Sequence, residues 1–202
     1  MIKSYTYLAL GDSYTIGEGV ALYHSFPYQV VQILRRSNYH FSAPEIMAQT
    51  GWTSDELMAS LDTYHFLPKY DIVSLLIGVN NQYRGRLLEE YKLDFENLLK
   101  KSIHLAGSKK ENVLVLSIPD YSTTPLRQGK DPDKIAKEID LFNSLNKAIS
   151  VQYKVPYIDV TSIGRLEKKD ETYLSADNLH PSKKEYTLWA EKVADVILAM
   201  LK

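Results

Sequence analysis

Three observations on the 202-residue sequence predict an α/β fold, a three-layer α/β/α sandwich built on a five-stranded parallel sheet. Short apolar, β-branched runs alternate with longer stretches of helical periodicity, the pattern left by strand–helix–strand crossovers. The middle run, residues 71–77, is almost wholly apolar, as a central strand buried on both faces must be. There is no internal repeat, no low-complexity tract and no linker rich in Gly, Ser or Pro, so residues 1–202 read as a single domain.

The elements follow in order. Residues 5–10 form a first strand that runs into Gly11, Asp12, Ser13 and Tyr14, where Gly11 is expected to allow a sharp turn without a Cβ clash. Ser25, Phe26 and Pro27 open a helix with Val30, Ile33 and Leu34 at helical spacing, and proline is compatible with its first turn. Residues 44–49 are a second short strand ending at Thr50, Gly51 and Trp52. Thr53 and Glu56 then have capping-box spacing for a helix through Leu61. The third strand ends in Gly78, Val79, Asn80 and Asn81, and the next helix carries Leu88, Tyr91, Phe95, Leu98 and Leu99 on one face. Residues 113–118 are a fourth strand stopped by Pro119. Asp131 and Pro132 make an N-cap and N1 pair for a helix with Ile135, Ile139, Phe142, Leu145 and Ile149 on its stripe. Residues 156–160 give the fifth strand and residues 167–171 a polar, solvated loop. After the segment 174–181, Ser182 and Glu185 have capping-box spacing for a last helix burying Tyr186, Trp189, Val193, Val196, Ile197 and Met200.

Composition narrows the function. The 24 basic and 25 acidic residues leave a formal charge of −1, so no basic field for nucleic acid is implied. Cysteine is absent, which leaves an oxygen or nitrogen as any nucleophile and excludes thiolate metal sites. The amino terminus enters the first strand without a basic segment, apolar run and cleavage site, so the chain is expected to stay in the cytoplasm. No apolar stretch is long enough to span a bilayer. Gly17, Glu18 and Gly19 continue into Val20 without the third glycine of a phosphate loop. His24, His40, His65 and His104 are scattered without ligand spacing, so neither a metal nor another cofactor is expected.

Ser13, Gly51, Asn80 and the segment before the last helix all fall on the edge of the sheet where strands give way to helices. Open α/β sheets bind ligands along that edge. Asp177 and His180 are three apart in a loop pinned by the last helix. One turn can set the carboxylate against the imidazole Nδ1–H and leave the other nitrogen facing a serine. Either residue alone would read as a turn former or a surface histidine; with Ser13 on the same edge they read as a base and its partner.

The ordered set of Gly11-Asp12-Ser13, Gly51, Gly78-Val79-Asn80 and Asp177-Asn178-Leu179-His180-Pro181 resembles the four blocks of the SGNH, or GDSL-like, hydrolases. The resemblance runs from Leu8 to Pro181 with the blocks in order and on the right elements. It implies a flavodoxin-like sheet, a triad of Ser13, His180 and Asp177, and an oxyanion hole made by the N–H groups of Ser13 and Gly51 with the Asn80 amide. One position departs: the third block usually continues with aspartate, where Asn81 stands here, so two amides are adjacent. The expected activity is cofactor-independent hydrolysis of a small-molecule carboxylic ester. Tyr14, Ile16, Trp52, Tyr83, Arg84 and Leu179, as neighbours of these groups, are candidates for the crevice wall. Apolar members suit an acyl chain, and the aromatics with Arg84 suit a sugar equally. Short-chain esters, acetylated sugars, lysophospholipids and thioesters stay open, as does oligomeric state. The alternative is a catalytically silent acyl- or carbohydrate-binding protein on the same fold, which hydrolysis of an activated ester would distinguish.

Overall fold

The computed structural model describes residues 3–127, 129–166 and 170–201. Among these, five strands form one parallel sheet: β1 (Tyr7–Asp12), β2 (Glu45–Gln49), β3 (Ile72–Leu76), β4 (Val113–Leu116) and β5 (Tyr157–Ile158). Their order is β2-β1-β3-β4-β5. Chain order reverses beside β1, so the β1/β3 pair is the switch point where a parallel sheet leaves a crevice at its carboxyl end. Strands β1 and β3 are buried along their whole length, whereas the edge strand β2 is only half-buried.

Helices α2 (Phe26–Arg36) and α8 (Lys183–Met200) pack together as one layer, with α3 (Ser54–Thr63), α5 (Leu88–Leu105) and α6 (Pro132–Tyr153) in a row as the other. The stripes expected on α5, α6 and α8 enter the core, and Trp189 of α8 is its largest fully buried side chain. Asp131 caps α6, its carboxylate accepting from the N–H groups of Asp133 and Lys134, with Pro132 in the first turn.

The structure corrects several boundaries. Strand β1 begins at Tyr7 and continues through Asp12, while Tyr5 makes a separate bridge with Phe41. Gly11 therefore lies inside the strand, not at a turn. It is needed for space, since a Cβ there would sit 2.1 Å from Thr15 Oγ1 and 2.4 Å from the Leu76 carbonyl oxygen. Strand β4 stops at Leu116 and β5 has only two residues, because the chain beyond each bonds to side chains. The Ile118 N–H donates to Asn143 Oδ1 and the Val160 N–H to Ser117 Oγ. Three short helices carry no signal in the sequence pattern: α1 (Ser13–Ile16), α4 (Val79–Tyr83) and α7 (Thr161–Leu166).

Ser182 caps α8, accepting from the Lys184 N–H at 3.1 Å, but the expected reciprocal bond is replaced. The Ser182 N–H donates to the Tyr173 carbonyl at 2.7 Å, and the buried Glu185 carboxylate accepts from the Trp189 indole at 3.2 Å. Of the polar loop 167–171, residues 167–169 lie outside the described residues. Among the described residues no helix is long and apolar enough to cross a membrane.

Candidate active site

Strand β1 delivers Asp12 and Ser13 to the crevice. Asp12 is the N-cap of α1, its Oδ1 accepting from the Tyr14 N–H at 3.1 Å, so Ser13 is the first helical residue. The first N–H groups of a helix have no acceptor within it, so the Ser13 N–H finds none inside α1. Asp12 is wholly buried, and burial raises its pKa to about 7, although hydrogen bonds from the backbone pull the other way.

The opposite side comes from the loop before α8. Leu174 and Pro181 form an antiparallel bridge, and the Ser175 N–H donates to the His180 carbonyl at 2.8 Å, which pinches residues 174–181 into a closed turn. Inside it, Asp177 Oδ1 accepts from Ser175 Oγ (2.7 Å) and from the N–H groups of Leu179 and His180 (both 2.9 Å). Those donors leave Oδ2 directed at the ring of His180, 2.7 Å from Nδ1. Burial works against ionising Asp177, but the bonds from His180, Ser175 and Leu179 outweigh it and hold the pKa down at about 2. With Nδ1 donating to this carboxylate, Nε2 is the accepting nitrogen, and it lies 2.8 Å from Ser13 Oγ. The His180 ring is also held by Tyr14, whose ring centroid is 4.9 Å away.

Gly51 and Asn80 approach from the neighbouring strand ends. Gly51 has φ of +81° in a turn closed by the Trp52 N–H donating to the Gln49 carbonyl. A left-handed position of this kind favours glycine. No described protein group accepts from the Gly51 N–H. Asn80 sits in the first turn of α4, and its Nδ2 donates to the Trp52 carbonyl at 3.1 Å and, at 3.4 Å, to Asp12 Oδ2. Asn81 faces elsewhere. It is buried, with Oδ1 accepting from the Ser54 N–H at 3.0 Å and Nδ2 donating to Ser54 Oγ at 2.7 Å.

A cleft of about 230 Å³ opens over Ser13 and His180 and is lined further by Tyr14, Val79, Asn80, Tyr83, Tyr121, Leu126 and Leu179. Three of the expected wall residues, Tyr14, Tyr83 and Leu179, are thus in the lining. Ile16, Trp52 and Arg84 are not. The Arg84 guanidinium turns away to the Gly51 carbonyl (2.6 Å) and Glu56 (3.0 Å). Tyr121 and Leu126 come from short 3-10 turns after β4 that carry no periodic signal in the sequence. Tyr121 packs edge-on against Tyr83, and Lys130 lies 3.6 Å above the Tyr83 ring. A second cavity of about 250 Å³ shares Tyr14 and Leu179 with this cleft, and neither Ser13 nor His180 lines it. Among the described residues no group of three His, Cys, Asp or Glu is arranged to hold a metal ion.

This arrangement sets a hydroxyl, an imidazole and a carboxylate in one hydrogen-bonded line, with Asn80 lining the same cleft. Residues 9–188 match the GDSL-like lipase/acylhydrolase family. The spore germination lipase LipC of Bacillus licheniformis is 24% identical over 207 residues, covering 93% of each chain. The crystal structure of TesA superposes with a TM-score of 0.76 at 19% identity, over 96% of this chain and 99% of TesA. The acetylxylan esterase Axe2 of Geobacillus stearothermophilus gives a TM-score of 0.75 at 19% identity, over 97% and 95%. At such identities the two superpositions speak for a shared fold.

Proposed function

The chain belongs to the GDSL-like lipase/acylhydrolase family and is in that general sense an ester hydrolase; on that premise we propose that it cleaves carboxylic esters through an acyl-enzyme formed on Ser13. The observation that carries this reading is the unbroken line from Asp177 Oδ2 through His180 to Ser13 Oγ, with contacts of 2.7 and 2.8 Å. Asp177, ionised at neutral pH, fixes the Nδ1–H tautomer of His180. Nε2 takes the Ser13 proton as Oγ attacks the ester carbonyl, and then gives that proton to the departing alcohol. Water enters by the same route, Nε2 again acting as base, and frees the acid.

The negative charge that grows on the carbonyl oxygen is met by the N–H groups of Ser13 and Gly51 and by Asn80 Nδ2. Of the two bonds that Asn80 makes, the 3.4 Å contact to Asp12 is the long one, and we take it to be the one exchanged for the oxyanion. Donors fixed in place before the reaction stabilise that charge without reorganising at the moment of transfer. The cleft is small, about 230 Å³, and Val79, Leu126 and Leu179 give it apolar walls. It therefore suits a short acyl group, whether the alcohol is simple or a sugar.

The test has two arms. A fluorophosphonate should add once, at Ser13, by mass spectrometry of the labelled protein, and a panel of esters graded in acyl length should be turned over fastest at its short end. An adduct elsewhere, or no adduct with hydrolysis intact, overturns the assignment of Ser13. No hydrolysis of any activated ester would leave a silent binding protein in its place.

A further inference from the structure

The Gly51 N–H belongs to one of three successive peptide units, and the two that follow it are fastened at both ends. In the unit joining Gly51 to Trp52, the Trp52 N–H donates to the Gln49 carbonyl at 3.2 Å and the Gly51 carbonyl accepts from Arg84 Nη2 at 2.6 Å. In the unit joining Trp52 to Thr53, the Trp52 carbonyl accepts from Asn80 Nδ2 and the Thr53 N–H donates to Glu56 Oε2 at 2.9 Å. The unit joining Thr50 to Gly51 has no described protein partner at either end. Its orientation is therefore inherited from its neighbours. A glycine at positive φ, with no Cβ to limit it, offers little resistance to rotation by itself.

We infer that Arg84 is a positioning residue: its guanidinium grips the Gly51 carbonyl and so aims the Gly51 N–H at the oxyanion. This rests on the reading of Gly51 as an oxyanion donor. Arg84 is suited to the task because its planar fork makes two directed bonds at once, Nη2 to the Gly51 carbonyl and Nη1 to Glu56 Oε1 at 3.0 Å. Glu56 in turn holds the Thr53 N–H, so one carboxylate on α3 ties the arginine to the chain it braces. On the other side of the turn the Thr50 hydroxyl donates to Glu18. The guanidinium lies against Gly51 closely enough that an added Cβ would be 3.5 Å from Nη2. Arg84 comes from the carboxyl end of α4, the helix that also carries Asn80, so the same helix supplies one oxyanion donor and braces the other.

The expectation from the sequence, that Arg84 binds substrate, predicts the opposite kinetic signature. A residue that binds the ground state raises KM when removed and leaves kcat; one that aims an oxyanion donor lowers kcat and leaves KM. Arg84→Ala should therefore lose about ten- to a hundredfold in kcat, the range that a misplaced group costs, with KM unchanged on one short-chain ester. Inactivation by a fluorophosphonate should slow in the same proportion. Glu56→Gln, which keeps a hydrogen-bond acceptor but loses the charge, should fall between wild type and Arg84→Ala. Both positions are partly exposed, so both variants should fold, and their thermal midpoints are measured alongside. A raised KM with wild-type kcat, or kcat within about twofold of wild type, overturns the proposal. Ser13→Ala serves as the separate control. If that variant keeps its activity, the acyl-enzyme reading fails as well; if it is inactive while Arg84→Ala turns over normally, only the role of Arg84 fails.

Discussion

Asn81 ties the start of α4 to the start of α3 through Ser54, accepting from its N–H and donating to its hydroxyl. Asn80, one position earlier, is the amide turned toward Asp12 and Trp52 beside Ser13. The Asn80→Ala enzyme should therefore lose about 10²–10³ in kcat with little change in KM. Asn81→Ala should keep most of its turnover and lose about 1 kcal/mol of stability or somewhat more, since the buried Ser54 N–H loses its acceptor while the Ser54 hydroxyl keeps Asp94. Turnover at saturating substrate and thermal unfolding separate the two, and a crippled Asn81→Ala beside a healthy Asn80→Ala would reverse the assignment. Asp12 carries a second prediction. Burial raises its folded pKa to about 7, above the ordinary carboxylate value of 3.8, so the folded state holds this proton more tightly than the unfolded chain. The resulting stability is fully present below the unfolded pKa and is lost as pH rises through about 7. Denaturant unfolding at about pH 5 and about pH 8 should show a decline in the wild type, by at most roughly 1.4 kcal/mol per pH unit, that Asp12→Asn flattens. An equal decline in both proteins would mean that another group is responsible.

At the level of elements, how much the sequence discloses depends on length. Helices of ten residues or more have enough positions to repeat an apolar stripe, and α2, α5, α6 and α8 fall where periodicity puts them, while α3 falls where its capping box does. The four residues of α1 and five of α4 cannot show a period, yet these two helices hold Ser13 and Asn80. Glycine and the block residues pointed to those positions; their helical setting was invisible. The partners of Arg84 and the lining by Leu126 were equally out of reach, because each depends on which distant loop lies alongside. Ser182 and Glu185 had the right spacing for a reciprocal cap, but the indole of Trp189 and the carbonyl of Tyr173 compete for the same groups. The turn holding Asp177 and His180 depends in the same way on Gly19, where φ is +80° and an added Cβ would lie 2.3 Å from Ser175 Oγ. Gly19→Ala should cost about 1–2 kcal/mol for the left-handed backbone. It should also lower kcat in protein that is still folded at the assay temperature, by shifting Ser175 and with it Asp177. A variant that is destabilised but turns over at the wild-type rate would show that the turn does not lean on Gly19.

For the whole molecule, the alternation of strand and helix was enough to predict a parallel sheet between helical layers, and the observed order β2-β1-β3-β4-β5 makes it flavodoxin-like. That order rests on which strands pair, which periodicity does not encode; the resemblance to a family supplied it. The edge that collects Ser13, Gly51, Asn80 and His180 follows from every strand being parallel, so that each strand points its carboxyl end the same way. The contact between Ser13 and His180 joins residues 167 apart in the chain. Seen in time, this means that a chain growing from a ribosome builds β1, exposes its serine and completes most of its sheet while the imidazole has yet to be made. Residues 1–173 contain Ser13, Gly51 and Asn80, the proposed nucleophile and oxyanion donors, but neither His180 nor Asp177. On the proposed reading, the site is complete only when the 174–181 turn docks and brings His180 to Ser13.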